Sequence, residues 1–270
     1  HETAQRELEI WEKFAGLTTN KNIAQIEINN YIRKWDGEVL TNLKEVRKIC
    51  NQIKSNPENT KFLKDKLREM GFKREIVYLP NFVNVDEFNP FYEWEEKSIV
   101  YFGRLSKEKG LFTLISAVKD LDVKLKIIGE GPVKEELICK VENEGIKNVE
   151  FLGYKSGEEL KEEIRKSMFV VVPSEWYENN PRSVIEAFAL GKPVLGSNIG
   201  GIPELVKDKE RGLLFEAGNK EDLREKIQYL LQDPQKIIEM GKNARKFVEV
   251  ELDEEKFYKR LMEIYRKLAV

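Results

Sequence analysis

Several features that mark particular protein classes are scarce in this sequence. Its 270 residues include only two cysteines, Cys50 and Cys139, and a single histidine, His1. Two cysteines cannot form a framework of several disulfides, and their scarcity is typical of a reducing compartment. No apolar run approaches the roughly 18 residues that a membrane-spanning helix needs. The sequence therefore predicts a cytoplasmic protein whose association with membranes is peripheral at most.

An excess of charge of either sign is also missing. The 46 lysines and arginines nearly balance the 48 aspartates and glutamates, so the net charge is -2 at pH 7. Because no global field attracts nucleic acid or an acidic membrane, we predict no nucleic-acid partner and only a local site for any anion. Charged residues make up 35% of the chain, a composition that resembles proteins from thermophiles. The length allows one large domain or two small ones.

The most informative stretch is the run of residues 173–193. Residues 168–172, directly before it, are a β-branched apolar run that predicts a buried parallel strand. Within the run, Asn180 suits a helix N-cap, Pro181 suits the first helical position and Gly191 suits the C-terminal stop. The run therefore predicts a loop followed by a helix of about ten residues.

The start of that helix is a candidate phosphate site. Free backbone amides and the positive end of the helix dipole attract anions, so we predict that the amides of residues 181–184 cradle a pyrophosphate. Glu178 lies in the loop before the helix and Glu186 in its second turn, where both can border one pocket and accept hydrogen bonds from sugar and ribose hydroxyls. The spacing alone fits an ordinary N-cap followed by a solvated glutamate equally well, so this alternative stays open.

The stretch from Glu178 to Glu186 resembles the Glu-x7-Glu motif of retaining glycosyltransferases of the GT-B fold, family 4, also described as glycosyl transferases group 1. The family usually has Phe-Gly or a similar pair after the first glutamate, whereas this chain has Asn-Asn-Pro-Arg at residues 179–182, a departure that bears on sugar specificity. Three further motifs occur in the family's order: a lobe-joining linker at residues 81–90, Gly-Arg-Leu-x-x-x-Lys-Gly at residues 103–110, and Gly-Gly-x-Pro-Glu at residues 200–204.

The resemblance covers about residues 60–270 and implies their fold. That fold is the C-terminal, donor-binding lobe of a GT-B enzyme: an α/β domain with a Rossmann-like parallel sheet and helices on both faces. Short apolar runs alternate with helical patterns in this part of the chain, as such a fold requires. The runs lie at residues 76–80, 98–102, 123–128, 149–152, 168–172, 194–195 and 212–215.

The resemblance also implies which residues act on a nucleotide sugar. Arg104 and Lys109 would stabilise the diphosphate leaving group, Glu178 would contact the transferred sugar, and Glu186 would contact the ribose. Gly103 allows the backbone to approach the ligand closely. The remaining substrate-binding candidates are Gly131 at the nucleotide pocket, Tyr154 and Lys155 near the base, and Asn179, Asn180, Arg182, Ser183 and Val184 at the helix start.

Neither a cofactor nor a metal is expected in this site. Asp120 and Asp122 have the spacing of a metal-binding Asp-x-Asp pair, but they precede a predicted strand instead of following one. We therefore interpret them as solvated loop residues, and GT-B enzymes generally need no metal in the site.

Residues 1–59 carry a different pattern. Apolar positions that include Trp11, Phe14 and Trp35 recur at helical spacing and predict three amphipathic helices, the last ending near Ser55. Nothing in this segment carries recognisable chemistry. The sequence therefore predicts two parts, a small all-α segment at residues 1–59 and a nucleotide-sugar-binding lobe at residues 60–270.

Three hypotheses explain this combination. In the first, residues 60–270 bind a nucleotide-diphosphate sugar for retaining glycosyl transfer, and the acceptor lobe is absent from the chain. In the second, the chain is a truncated or chimeric protein whose lobe is a scaffold, without turnover, for a helical module that binds a protein partner. In the third, a separate subunit supplies the acceptor lobe.

Overall fold

A computed structural model of the chain describes residues 55–58, 61–69 and 75–268. The three predicted N-terminal helices lie outside the described residues. The predicted helical segment is wrong at its end, because Ser55–Glu58 forms a strand, β1, that pairs in parallel with β2 (Glu75–Tyr78). Pro57 explains this, since proline breaks a helix but is tolerated at the edge of a sheet.

Six further strands form one parallel sheet, as the apolar runs predict. They are β3 (Ser98–Phe102), β4 (Lys124–Ile128), β5 (Val149–Gly153), β6 (Val170–Val172), β7 (Val194–Ser197) and β8 (Gly212–Phe215). Their order in the sheet is β5-β4-β3-β6-β7-β8. The direction of winding therefore reverses between β3 and β6, and the crevice outside the carboxyl ends of two such strands is where open α/β sheets bind ligands.

Helices cover both faces of this sheet, which confirms the Rossmann-like α/β prediction. Ile99 and Val100 are consecutive on β3 and completely buried, yet they belong to opposite cores because successive side chains on a strand point to opposite faces. The helices are α1 (Lys61–Glu69), α2 (Leu111–Val118), α3 (Lys134–Asn143), α4 (Gly157–Lys166), α5 (Arg182–Ala189), α6 (Ile202–Leu205), α7 (Lys220–Gln232), α8 (Pro234–Glu251) and α9 (Glu254–Leu268). Among the described residues, none of the helices is both long and apolar enough to span a bilayer.

The segment of residues 79–92, which we call the linker, runs across the lobe between β2 and β3. Three basic side chains, Lys161, Arg165 and Arg245, donate hydrogen bonds of 2.6 to 3.3 Å to backbone carbonyls within residues 85–89. The linker is thus fastened through its backbone. Its sequence is similar to the family's lobe-joining linker.

At residue 82 of the linker the sequence resemblance implies a glycine, whereas this chain has Phe82. Its ring stacks on Phe257 of α9 with 4.2 Å between ring centroids. One residue further, the amide of Val83 donates to the carbonyl of Leu252, at the junction of α8 and α9. The aromatic substitution therefore joins the linker to the last helix.

Helix α1 is joined to the lobe through its first turn. Glu204 of α6 accepts hydrogen bonds from the backbone amides of Lys61 and Phe62, at 2.9 and 2.7 Å. The carboxylate thereby satisfies two of the amides that a helix start leaves without an intrahelical acceptor. The Phe62 ring also lies 5.0 Å from the ring of Tyr177, in the loop after β6.

Candidate functional site

Two loops meet at the point where the sheet reverses its winding. One follows β3 and spans residues 103–110; the other follows β6 and spans residues 173–181. The amide of Glu175 donates to the carbonyl of Glu108 at 2.8 Å. Gly110 has φ of 68°, and a Cβ there would lie only 1.9 Å from the carbonyl oxygen of Pro173, so the loops can touch only because residue 110 has no side chain.

This contact brings together two of the predicted site residues. The Nζ of Lys109 lies 2.5 Å from Oε1 of Glu178, although the two residues are 69 positions apart in sequence. Both side chains are largely buried, with 24% and 19% of their surfaces exposed. The hydroxyl of Ser174 donates to the same Oε1 atom at 2.7 Å. Sequence reasoning missed Ser174, since no motif marked it as more than a loop residue.

The Gly-Gly turn after β7 holds the backbone of Glu178. The amide of Gly201 donates to the carbonyl of Glu178 at 2.7 Å. Gly200 has φ of 60°, and a Cβ on it would lie 2.5 Å from that same carbonyl. Gly200 therefore has a left-handed backbone conformation, and its contact is with the first glutamate of the Glu-x7-Glu motif.

The helix that carries Glu186 begins one residue later than predicted. Helix α5 spans eight residues with Pro181 at the N-cap. Asn180 is not its side-chain cap, because its Oδ1 accepts from the amide of Asn81 in the linker at 3.1 Å. The predicted stop is correct, since Gly191 has φ of 74° just after the helix.

The predicted amide cradle is smaller than residues 181–184. Pro181 has no amide hydrogen, and the amide of Val184, whose side chain is buried, donates to the carbonyl of Pro181 at 3.1 Å. The amides of Arg182 and Ser183 remain at the helix start, where backbone groups have no intrahelical acceptor. Asn179 and Ser183 are half-buried, and the side chain of Arg182 is exposed.

A cavity of about 490 Å³ opens beside this helix at the carboxyl ends of the strands. Five predicted residues line it: Gly103, Arg104, Tyr154, Lys155 and Glu186. Lining residues that the sequence did not indicate include Phe88 from the linker, Glu130, Ser156 and Lys161. The remaining predicted residues, which are Lys109, Gly131, Glu178 and those at the start of α5, lie outside the lining.

Gly131 lies outside the cavity lining for a structural reason. A Cβ on Gly131 would lie 2.2 Å from the carbonyl oxygen of Leu105, so this glycine packs beneath the loop after β3. Gly129 lines the cavity in its place. The turn after β4 therefore presents Gly129 to the cavity and packs Gly131 against the loop after β3.

The cavity places Glu186 in an unusual electrostatic environment. Burial raises the pKa of Glu186, and the nearby charges of Arg182 and Lys161 oppose this shift only in part. The guanidinium Nε of Arg182 lies 3.5 Å from the carboxylate of Glu186. A carboxylate in this position gains from partners that donate hydrogen bonds to its charged form.

A buried tyrosine, Tyr101, holds the loop that carries Arg104. The hydroxyl of Tyr101 donates to the carbonyl of Arg104 at 2.7 Å. Burial, followed by the charges of Glu178 and Glu108, raises the pKa of Tyr101, so the hydroxyl keeps its proton and remains a donor. The side chain of Arg104 is exposed and lines the cavity.

No cluster of three or more metal-ligating side chains of the His, Cys, Asp and Glu types occurs in the part of the chain that the structure describes. Asp122 instead pairs with Lys97 at 2.5 Å, and Asp120 has φ of 62° in the turn before β4. Both residues lie in the loop before the strand, as the sequence predicts.

Comparisons with known proteins agree on one family. The sequence model described as glycosyl transferases group 1 matches residues 86–247. An uncharacterized glycosyltransferase of Methanocaldococcus jannaschii, MJ1178, is 34% identical over 192 residues, which is 70% of this chain and 52% of that protein. The sulfoquinovosyl transferase SQD2 of Arabidopsis thaliana is 34% identical over 58% of this chain and 31% of its own length. The chain spans about half the length of the first of these relatives.

Solved structures establish the fold. Sucrose-phosphate synthase from Thermosynechococcus elongatus superposes with a TM-score of 0.77 at 24% identity, covering 87% of this chain and 64% of that one. Anabaena HepE, solved in complex with UDP and glucose, has a TM-score of 0.77 at 21% identity, covering 84% of this chain and 67% of that one.

Proposed function

Because this chain belongs to the glycosyl transferases group 1 family, we propose that residues 60–270 are the donor-binding lobe of a retaining glycosyltransferase that uses a nucleotide-diphosphate sugar. The single observation that carries this proposal is the cavity at the reversal of the sheet, with the Lys109–Glu178 pair beside it. Support also comes from HepE, which has been solved with UDP and with UDP-glucose.

Each part of the donor has a matching part of the site in this proposal. The nucleoside occupies the cavity, whose volume of about 490 Å³ falls in the usual range for small-molecule sites. Tyr154 and Lys155 lie at the base, and Glu186 accepts hydrogen bonds from the ribose hydroxyls. The diphosphate then reaches the amides of Arg182 and Ser183 at the start of α5.

In this proposal the site stabilises the leaving group of the transfer reaction. When the bond between the anomeric carbon and the diphosphate breaks, negative charge grows on the phosphate oxygens. Arg104 and Lys109 supply positive charge there, and the dipole of α5 adds to it. Glu178 holds the hydroxyls of the transferred sugar. The proton of the acceptor hydroxyl leaves with the diphosphate, and transfer itself requires an acceptor-binding lobe in the same assembly.

Calorimetry with UDP-, GDP- and ADP-sugars tests this proposal. We expect the chain to bind at least one of them, and Glu186→Gln to weaken that binding roughly five- to twentyfold because a charged hydrogen-bond acceptor is lost. Burial raises the pKa of Glu186, and the ligand favours the ionised carboxylate. As the pH is lowered, affinity should therefore begin to fall at a higher pH than it would for a glutamate with an ordinary pKa. Glu186→Gln should remove this pH dependence.

A nucleotide sugar is the right probe because each of its phosphates is substituted twice, by one ester and by the shared anhydride bridge, so neither titrates near neutral pH. The matched control is Glu239→Gln, which makes the same change at an exposed position on α8. The proposal fails if the wild-type chain binds none of the nucleotide sugars at millimolar concentration, or if Glu186→Gln binds as tightly as Glu239→Gln.

A further inference from the structure

The two oxygens of the Glu178 carboxylate have different surroundings. Oε1 receives the Nζ of Lys109 at 2.5 Å and the hydroxyl of Ser174 at 2.7 Å. Within the described part of the chain, no hydrogen bond or ion pair to Oε2 is recorded. The carboxylate is therefore held by one oxygen, and the other has capacity for a ligand.

Ser174 is fixed more firmly than Lys109. Only 1% of its surface is exposed, and its carbonyl accepts a hydrogen bond of 2.7 Å from the hydroxyl of Ser197, which is itself completely buried at the end of β7. Burying a hydroxyl without a hydrogen-bond partner costs free energy, and this cost favours the bond between Ser174 and Glu178. The ammonium of Lys109 sits on a long side chain with 24% of its surface exposed.

A bound diphosphate would compete for Lys109 but not for Ser174. Lysine is a flexible point charge that can turn from one anion to another. Once Lys109 pairs with the phosphates, Ser174 is the partner that still donates a hydrogen bond to Oε1. Its hydroxyl then decides the rotation of the carboxylate and the direction in which Oε2 faces.

We propose that Ser174 is a positioning residue that holds Oε1 of Glu178 so that Oε2 accepts a hydrogen bond from a hydroxyl of the transferred sugar. This inference rests on the proposed function, and it adds a residue that acts on the sugar without touching it. It requires Ser174 to affect the sugar-dependent part of donor affinity and to leave the nucleotide-dependent part alone.

Calorimetry with UDP and with UDP-glucose separates these two parts of the affinity. If the wild-type chain prefers guanine or adenine, GDP and GDP-glucose or ADP and ADP-glucose are used instead. In the wild type, UDP-glucose should bind more tightly than UDP. In Ser174→Ala, we expect affinity for UDP-glucose to fall about five- to tenfold and affinity for UDP to stay within about twofold. Ser174→Thr keeps a hydroxyl and should restore most of the sugar-dependent affinity.

The chain offers a matched control at the next residue of this loop, Glu175, whose hydroxyl partner is Thr113 of α2. The hydroxyl of Thr113 donates to Oε1 of Glu175 at 2.5 Å, which is the same chemistry in an exposed pair outside the cavity lining. Thr113→Val should change neither affinity. Unchanged binding of UDP by Ser174→Ala also shows that the variant is folded and its nucleotide site intact.

The possible results divide clearly. If the wild-type chain binds no nucleotide or nucleotide sugar, the proposed function fails and this inference fails with it. If the wild type binds these ligands but Ser174→Ala leaves the ratio of UDP-glucose affinity to UDP affinity unchanged, whatever that ratio is, the inference alone is overturned. It is also overturned if Ser174→Ala weakens UDP and UDP-glucose equally, or if Ser174→Thr restores nothing.

Discussion

Lys192 is a buried lysine, and its near partners among the described residues are neutral. Its surface is 1% exposed, its Nζ donates to the carbonyl of Glu93 at 2.6 Å, and it lies 5.3 Å from the centre of the Phe91 ring. No carboxylate lies within ion-pair distance of it in the described part of the chain. Burial lowers the pKa of Lys192 to about 7, because the charged form loses its hydration.

This residue makes the stability of the protein depend on pH. Between pH 7 and the ordinary lysine pKa of 10.5, the unfolded chain holds a proton at Lys192 that the folded chain has released. The free energy of unfolding should therefore rise with pH across this range, by on the order of 3 kcal/mol relative to Lys192→Met. Urea unfolding of both proteins at several pH values between 7 and 10 measures the difference.

Lys220→Met is the control for that measurement, since it removes an exposed lysine at the start of α7. Its stability should follow the wild type at every pH. A constant difference between the wild type and Lys192→Met would mean that Lys192 keeps its proton in the folded protein.

At the scale of elements, the close approach of the loops after β3 and β6 depends on Gly110. Gly110→Ala combines a left-handed backbone with a Cβ 1.9 Å from the carbonyl of Pro173. We expect it to lower the free energy of unfolding by roughly 3–5 kcal/mol and to weaken nucleotide-sugar binding, because both loops must move. Denaturant unfolding and calorimetry measure the two effects.

Gly145→Ala is the control that separates the effect of the loop contact at Gly110 from the effect of a left-handed backbone. Gly145 has φ of 63°, close to that of Gly110, but a Cβ on it would meet nothing within 4 Å. Gly145→Ala should therefore cost only about 1–2 kcal/mol and leave binding unchanged. Equal effects from the two substitutions would refute the role of the loop contact.

The same elements show what could be predicted from sequence. Strands and helices were predicted to within a few residues because apolar runs and stop signals such as Gly191 are local. Asn180 was assigned as a helix cap because only its neighbours in sequence were visible, whereas its partner Asn81 lies 99 positions away. Lys161 was missed for the same reason, since its contact with the carbonyl of Glu87 joins separate elements. Ser174 was missed although Glu178 is only four positions away, because no local pattern fixes the side chains of a loop.

At the scale of the molecule, Glu204 joins β1, α1 and β2 to the six-stranded lobe. Glu204→Ala should free the amides of Lys61 and Phe62 and destabilise the start of α1 by about 1 kcal/mol, or roughly fivefold in local opening. Amide hydrogen exchange followed across residues 61–69 measures this opening.

Glu210→Ala provides the comparison, because its side chain pairs with Lys207 and Arg211 and has no recorded contact with α1. Exchange in residues 61–69 should match the wild type in that variant. If Glu204→Ala also leaves exchange unchanged, the capping contact contributes nothing to the attachment of α1.

The fastening of residues 85–89 by Lys161, Arg165 and Arg245 has an evolutionary consequence. A carbonyl oxygen is the same whichever amino acid supplies it, so mutations in this segment leave its attachments in place. The exceptions are Val85, which packs against the core, and Phe88, whose ring lines the cavity. Selection should therefore act on the three basic side chains outside the segment and, within the segment, chiefly on Val85 and Phe88.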